Sequence, residues 1–440
     1  MSEQDGTQAI PAQRINDREA WKAYWEARGQ PWRTEPEIDA QRQDYLAQCR
    51  SITPDPRQGM YPFKDIALSR ADVEWLLAAH ENGRGPVDWS DESQRERAGV
   101  DLRGADLRRV DLQNLPLACT IGDVTWMEWP DLTLEQRTLA ALLLEDADLK
   151  GAHLEHARLS YAHMERADLR EAHLEGINLA RADLEGAYLR RTHLEGANLF
   201  NTHLDETYLW EAHLEGAVLS GTHLEGALLS DIILSDEKRV GPRLADVRWG
   251  DVNLAVVRWS QMNMLGEEYQ ARQKKQDGKA KDAATRLKEY ETAVRANRQL
   301  ATALSAQGLN EDAAHFAYQA QKLQRVVLRR RNKIFQYLFS GFLYVLAGYG
   351  YRPGRSLIAY FLVIGLFATT YALLGQSIHP PFSPLAALVF SITSFHGRGF
   401  FPGGISLDNP ITVLAALEAI MGLIIEISFI ATFTQRYFAK

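Results

Sequence analysis

Residues 147–179 read ADLKGAHLEHARLSYAHMERADLREAHLEGINL, with a leucine or methionine at every fifth position. The register runs through Leu144, Leu149, Leu154, Leu159, Met164, Leu169, Leu174, Leu179, Leu184, Leu189 and Leu194, and on from Leu199 to Leu234. Small or apolar residues stand two positions before these, such as Ala147, Ala152, Ile177, Thr192, Ala197, Thr202 and Thr222. Neither the helical period of 3.6 nor the strand period of 2 divides five. Each unit must therefore turn a corner and present the same side chain inward, and stacked units share one core. An earlier block shows Leu102, Leu107 and Leu112. After a break at Ser235 to Pro242 the register returns as Leu244, Trp249, Leu254, Trp259 and Met264.

The pattern A-[D/N/H]-L-x-x resembles the pentapeptide-repeat family. That resemblance implies a right-handed quadrilateral β-helix, four pentapeptides per coil, with the central Leu and the small residue before it pointing inward. It implies no common catalytic residue, because fold alone does not give function.

A period of ten overlies the period of five. His153, His163, His173, His193, His203, His213 and His223 each precede a central Leu, with Asp183 in the missing place, and Glu155, Glu165, Glu175, Glu185, Glu195, Asp205, Glu215 and Glu225 follow it. With four units per coil, positions twenty apart stack and positions ten apart lie on opposite faces. Two His/Glu ladders result. They read either as a pH or cation sensor or as solvated outward positions copied by repeat duplication.

The last eighty residues contrast with the rod. Ser356 to Leu374 and Ile411 to Phe433 are apolar spans long enough to cross most of a ~30 Å hydrocarbon core, although the mean hydropathy of the whole chain is only -0.29 and its net charge is -8. Between them Pro384 to Phe395 makes one short apolar helix, which leads into Phe395, His396, Gly397, Arg398 and Gly399 and then Phe401 to Gly404. A short helix that dips into a membrane and leaves by a glycine loop must line water or protein. The layout from Ser356 to Tyr437 resembles the two-transmembrane, pore-loop cation channels related to potassium channels. Their T-V-G-Y-G filter, whose carbonyls replace the ion's hydration shell, corresponds to Phe395–Gly399. Both glycines are kept, His396 stands in place of Val and Arg398 in place of Tyr. That resemblance implies a tetramer passing K+ or other monovalent cations. If Arg398 faced the axis, a tetramer would place four positive charges at the mouth and favour anions; if it points away from the axis, Glu418 is its expected partner. Glu426 would then face the inner cavity. Gly422 reads as a hinge or as a site of close helix packing.

Basic residues from Arg325 to Arg355 precede the first span, and Arg436 and Lys440 follow the second. The positive-inside rule puts both termini in the cytoplasm. Met1 to Asn16 carries no apolar signal core, so a multi-pass protein of a bacterial inner membrane is expected, with the lipid bilayer as a partner. Cys49 and Cys119 have no metal-ligand spacing, and neither a metal nor a cofactor is expected. No P-loop, G-x-S-x-G or H-E-x-x-H is present, so an enzyme is not expected.

The fold expectation is multidomain: a mostly helical cap (1–98), with tryptophans Trp21, Trp25 and Trp75 either packing it or binding a ligand; the β-helix (99–264, interrupted at 113–143 and 235–243); a charged helical connector (265–333); an interfacial helix and turn (334–355); and a two-helix transmembrane pore domain with a re-entrant pore helix (356–440). The leading function is an oligomeric ion channel with a cytosolic sensor or assembly domain. The alternatives are a membrane-anchored binding scaffold, and a DNA-mimic binding protein of the kind known among soluble pentapeptide-repeat proteins. Binding of nucleic acid itself is not expected.

Overall fold

A computed structural model describes residues 18–125, 127–235, 240–276, 278–351, 353–377, 381–397 and 410–437. The chain divides into two compact units, Met1–Lys281 with Arg295–Gln307, and Asp282–Val294 with Gly308–Lys440.

The first unit is built on a β-helix. Parallel bridges join residues twenty apart without exception from Leu143↔His163 to His213↔Ile233, so each coil holds four five-residue sides. The corners are tight turns: Leu154 O accepts from Ala157 N at 3.1 Å, and the bond recurs at Leu159–Ala162 and Leu174–Ile177. The third residue of each turn has positive φ, as at His156 (56°), Tyr161 (65°) and Gly176 (65°). This is the type II geometry, which favours glycine there and explains the recurring L-E-G-A. Inward-facing Leu and Ala are almost fully buried from Leu144 to Leu219. Threonine replaces Ala in that row at low cost because its hydroxyl finds a carbonyl. Thr192 donates to Leu169 O, Thr202 to Leu179 O and Thr222 to Leu199 O, at 2.8, 2.8 and 2.7 Å.

The interruption expected at 113–143 is shorter in the structure. Bridges Asp101↔Ile121, Pro116↔His153 and Ile121↔Arg158 carry the coil through Ile121. Leu117 occupies the central position with Leu115 before it, both buried. The larger Leu115 and the following Gly122 disguise the repeat. The insert proper closes over Tyr61, Val124, Leu132 and Ala140. The second break moves the bridges from twenty to twenty-five residues apart, as in Val218↔Arg243 and His223↔Arg248; residues 236–239 lie outside the described residues. Pentapeptide corners end near Gly250. Where the leucine register was expected to continue, Leu254–Val256 and Trp259–Gln261 are 3-10 turns. Tryptophans at the inward positions are larger than a five-residue corner admits, and Trp249 and Trp259 meet edge to face at 6.1 Å over the end of the core.

Helices α1 (Arg18–Glu26), α2 (Ala40–Arg50), α3 (Arg70–Ala78) and the short α4 (His80–Gly83) lie on the N-terminal side. Ser69 and Asp72 form a capping box that starts α3. Residues 63–68 pair with the first coil through Phe63 N to Arg103 O and the bridge Ala67↔Asp106. Arg70, buried, binds Glu74 at 2.8 Å and Asp111 at 3.0 Å. Trp21 and Trp25 are buried within this cap, and Trp25 Nε1 donates to Glu35 O. A five-residue helix, α5 (Leu134–Thr138), belongs to the insert. After the last coil, α6 (Gly266–Arg272) turns its Glu267 back to accept from Ala245 N at 2.6 Å. A two-stranded hairpin pairs Lys275–Gln276 with Lys279–Ala280.

Helix α7 (Ala283–Ala306) contributes to both units. In the second unit α8 (Asn310–Arg330) buries Ala313, Phe316, Ala320, Leu323 and Val327, a 3-4-3-4 spacing that defines one helical face. Arg331 reaches Glu291 at 2.7 Å. Helix α9 (Ile334–Ala347) leaves Ile334, Phe335, Leu338 and Phe339 exposed, and ends at a left-handed Gly348. Three apolar helices follow: α10 (Pro353–Leu374), α11 (Pro384–Phe395) and α12 (Pro410–Tyr437). Gly354–Leu374 and Pro410–Thr434 are long and apolar enough to cross a membrane. Ser383 caps α11 by accepting from Ala386 N.

Candidate functional site

Two places concentrate polar chemistry. The first lies among α10, α11 and α12. Near the start of α12, Ile411 and Ala415 pack with Ala387 and Phe390 of α11 and Tyr371 of α10. Farther along, Phe395 at the end of α11 packs with Ile364 and Ile425. Helix α11 therefore runs alongside α12, in the same direction, from its first turn to its middle. Its last carbonyl sits on Gly422, where an added Cβ would meet Phe395 O at 2.0 Å. The glycine allows that backbone approach.

Glu418 is fully buried in this bundle. Its carboxylate accepts from the Tyr371 hydroxyl at 2.8 Å and from the Ser391 hydroxyl at 2.5 Å. The expected partner, Arg398, lies outside the described residues, as do Gly399 and Phe401 to Gly404, and both Glu418 oxygens are already met by hydroxyls. Glu426 is hydrogen-bonded to His396 Nδ1, while His396 Nε2 lies 3.3 Å from Tyr360 Oη of α10. One imidazole thus ties the end of α11 to both long helices. Gly397 follows with a left-handed φ of 67°. Sequence reading missed Tyr360, Tyr371 and Ser391. Their signal was a polar group within an apolar run, which must find a partner once buried.

The second place is the rod's outer surface. His153, His173, His193 and His213 stack on one face, ring centroids 4.6, 4.9 and 4.7 Å apart and nearly parallel. On the other, Asp183 separates His163 from His203 and His223, and the last two lie 4.4 Å apart. In four of them the imidazole Nδ1 faces the carboxylate two residues on: His153 and Glu155 at 2.8 Å, His163 and Glu165 at 3.3 Å, His173 and Glu175 at 3.3 Å, and His193 and Glu195 at 3.2 Å. The Glu155 hydrogen bond pushes the His153 imidazole above its ordinary value, whereas burial pulls His223 below. Burial also raises the Glu215 carboxyl, and neighbouring Glu195 adds to it.

Comparison with known proteins bears on the rod. The family model "Pentapeptide repeats (8 copies)" matches residues 143–176, 177–209 and 197–236, and the match does not extend to the C-terminal helices. No curated protein matches the chain. Among solved structures, HetL, a pentapeptide repeat protein involved in heterocyst differentiation regulation from the cyanobacterium Nostoc sp. strain PCC 7120, is 20% identical over 44% of this chain and 76% of its own, with a TM-score of 0.23. Rfr23 from the cyanobacterium Cyanothece 51142 is 25% identical over 33% of this chain and 90% of its own, TM-score 0.17. QnrB1, a plasmid-mediated fluoroquinolone resistance protein, is 21% identical over 36% and 73%, TM-score 0.17. Five-residue corners, twenty-residue bridges and the family match coincide over the same stretch, and residues 143–235 of this chain are a pentapeptide-repeat β-helix domain.

Proposed function

We propose that the chain is one subunit of an oligomeric, cation-conducting channel of a bacterial inner membrane, most simply a tetramer, with its β-helix domain in the cytoplasm as a sensor or assembly module. The observation that carries this reading is the position of the α11 terminus. Gly422 is twelve residues into α12, or about 18 Å along it, and the last turn of α11 ends there. A helix that stops at mid-span aims the negative end of its dipole at the centre of the membrane, which favours cations. An anchor has no use for such a helix, nor for the buried Glu418.

Two further features support assembly. Only 11% and 22% of the apolar windows of α10 and α12 are buried within one chain, which leaves surface for lipid and for other copies. Two long helices and one short one do not enclose a path alone, so a pore requires several subunits. The DNA-mimic alternative is less well supported, because part of the rod's negative charge is paired with arginines, as in Arg166–Asp146, Arg170–Asp168 and Arg191–Glu211.

The test is current from the purified full chain in a planar bilayer under a potassium chloride gradient. A reversal potential near that of potassium is expected. A value near that of chloride overturns the cation reading. Silence from an intact oligomer, across pH and divalent ions, leaves a membrane-anchored scaffold as the function.

A further inference from the structure

The imidazole face of the rod holds more acceptors than donors. Glu155, Glu175, Glu195 and Glu215 stack beside the four histidines, one per coil, and in every one Oε2 is buried without a hydrogen-bond partner. Glu155 is the most enclosed, at 8% exposed. Unpaired buried carboxylate oxygens are costly, and stacked carboxylates repel. A cation held between the imidazole and carboxylate rows would offset that repulsion.

The spacing fits one. Glu195 Oε1 lies 3.2 Å from His193 Nδ1 and 3.5 Å from His213 Nδ1. Ligands of a tetrahedral ion with bonds of ~2.1 Å stand about 3.4 Å apart. Candidate ligand atoms of His193, Glu195 and His213 all fall within 4.8 Å of one another, and those of His153, Glu155 and His173 do the same two coils away. Two imidazoles and a carboxylate select a borderline divalent ion such as zinc over calcium or magnesium. We propose that this face of the β-helix binds divalent transition-metal ions at two equivalent sites, His153–Glu155–His173 and His193–Glu195–His213, each bridging adjacent coils. The proposal stands apart from the channel reading and does not depend on conduction.

The outward side chains leave the leucine core intact, so variants are informative. Tag-free full-length protein in detergent is titrated with zinc chloride by calorimetry, with and without His173→Asn combined with His193→Asn. The double variant is expected to lose two equivalents of zinc while keeping its circular dichroism. The opposite face holds His203, Asp205 and His223 with candidate ligand atoms equally close, so zinc retained by the double variant is assigned there, and Asp183→His, which completes the stack between His163 and His203, is expected to add at least one equivalent. If the double variant does not fold, the Asp183→His gain decides alone. Absence of saturable binding, or a titration unchanged by these substitutions, overturns the proposal.

Discussion

Glu267 closes the C-terminal end of the β-helix, and its burial makes that closure sensitive to pH. The residue is 4% exposed, accepts from Ala245 N at 2.6 Å and leaves Oε2 without a partner. Burial pushes its carboxyl from the ordinary 4.5 up to about 7, while the backbone N–H groups of Ala245 and Leu244 and the charge of Arg243 pull the other way. Between these values the folded chain holds a proton that the unfolded chain releases. Stability is therefore fully present below about pH 4.5 and falls as pH rises through 7. A displacement of that size corresponds to about 3 kcal/mol, an upper figure for this one group. Glu267→Gln keeps the carbonyl that accepts from Ala245 and removes the titration. It introduces an amide donor in place of an unpartnered oxygen, at a cost of about 1–3 kcal/mol. The variant is expected to be no more stable than the parent at pH 5, and to gain on it steadily up to pH 8. Denaturant melts of the full chain in detergent, followed by tryptophan fluorescence, give the comparison, with Trp249 and Trp259 reporting on the same end of the rod. Parallel stability profiles for parent and variant between pH 5 and 8 would refute the reasoning.

Two substitutions test the C-terminal bundle. Gly422→Ala puts a methyl group 2.0 Å from Phe395 O, a backbone atom that cannot swing aside, so a loss of about 1–3 kcal/mol and a lower melting temperature in detergent are expected. Gly365→Ala, with nothing within 4 Å, is expected to melt like the parent, and equal effects of the two would discount the α11–α12 contact. Glu418→Ala strands the Tyr371 hydroxyl, at a cost of about 1–3 kcal/mol, while Ser391 keeps its bond to Ile364 O at 3.0 Å. Glu418→Gln keeps an acceptor and is expected to retain most of the stability, whereas equal losses in thermal melts would mean that the charge itself is required.

The coil was legible from Leu144 to Leu234 because a side chain that must face inward at every corner cannot vary much. The same regularity hid its own extension. Leu115 in the small-residue row and Gly122 in the leucine row belong to the structure's repeat but not to the letter pattern, so the insert was read as too long. Trp249 and Trp259 misled in the opposite sense: they keep the five-residue register, yet Trp259 lies in a 3-10 turn that ends the solenoid. In the C-terminal helices, element lengths followed from unbroken apolar runs. The partners did not follow. Glu418 meets Tyr371 and Ser391 across 47 and 27 residues of chain, and pairing at that distance depends on how three helices pack.

Polar residues in an apolar row hold the elements of both units together, for one physical reason. A core of stacked leucines is satisfied by any apolar residue of the right size, and an apolar helix by any sequence without charge, so neither specifies much beyond its own shape. A polar group in such surroundings is retained only with a partner, which links two elements that would otherwise slide. Thr192, Thr202 and Thr222 lock neighbouring coils in this way through carbonyls at 2.7–2.8 Å. Glu418 and His396 hold α11 against α10 and α12. Of these linkages, the one from His396 to Glu426 and Tyr360 is the most consequential for the proposed pore. It fixes the last turn of α11 to both long helices, so any motion of α12 about Gly422 must carry the end of α11 with it or break that bond.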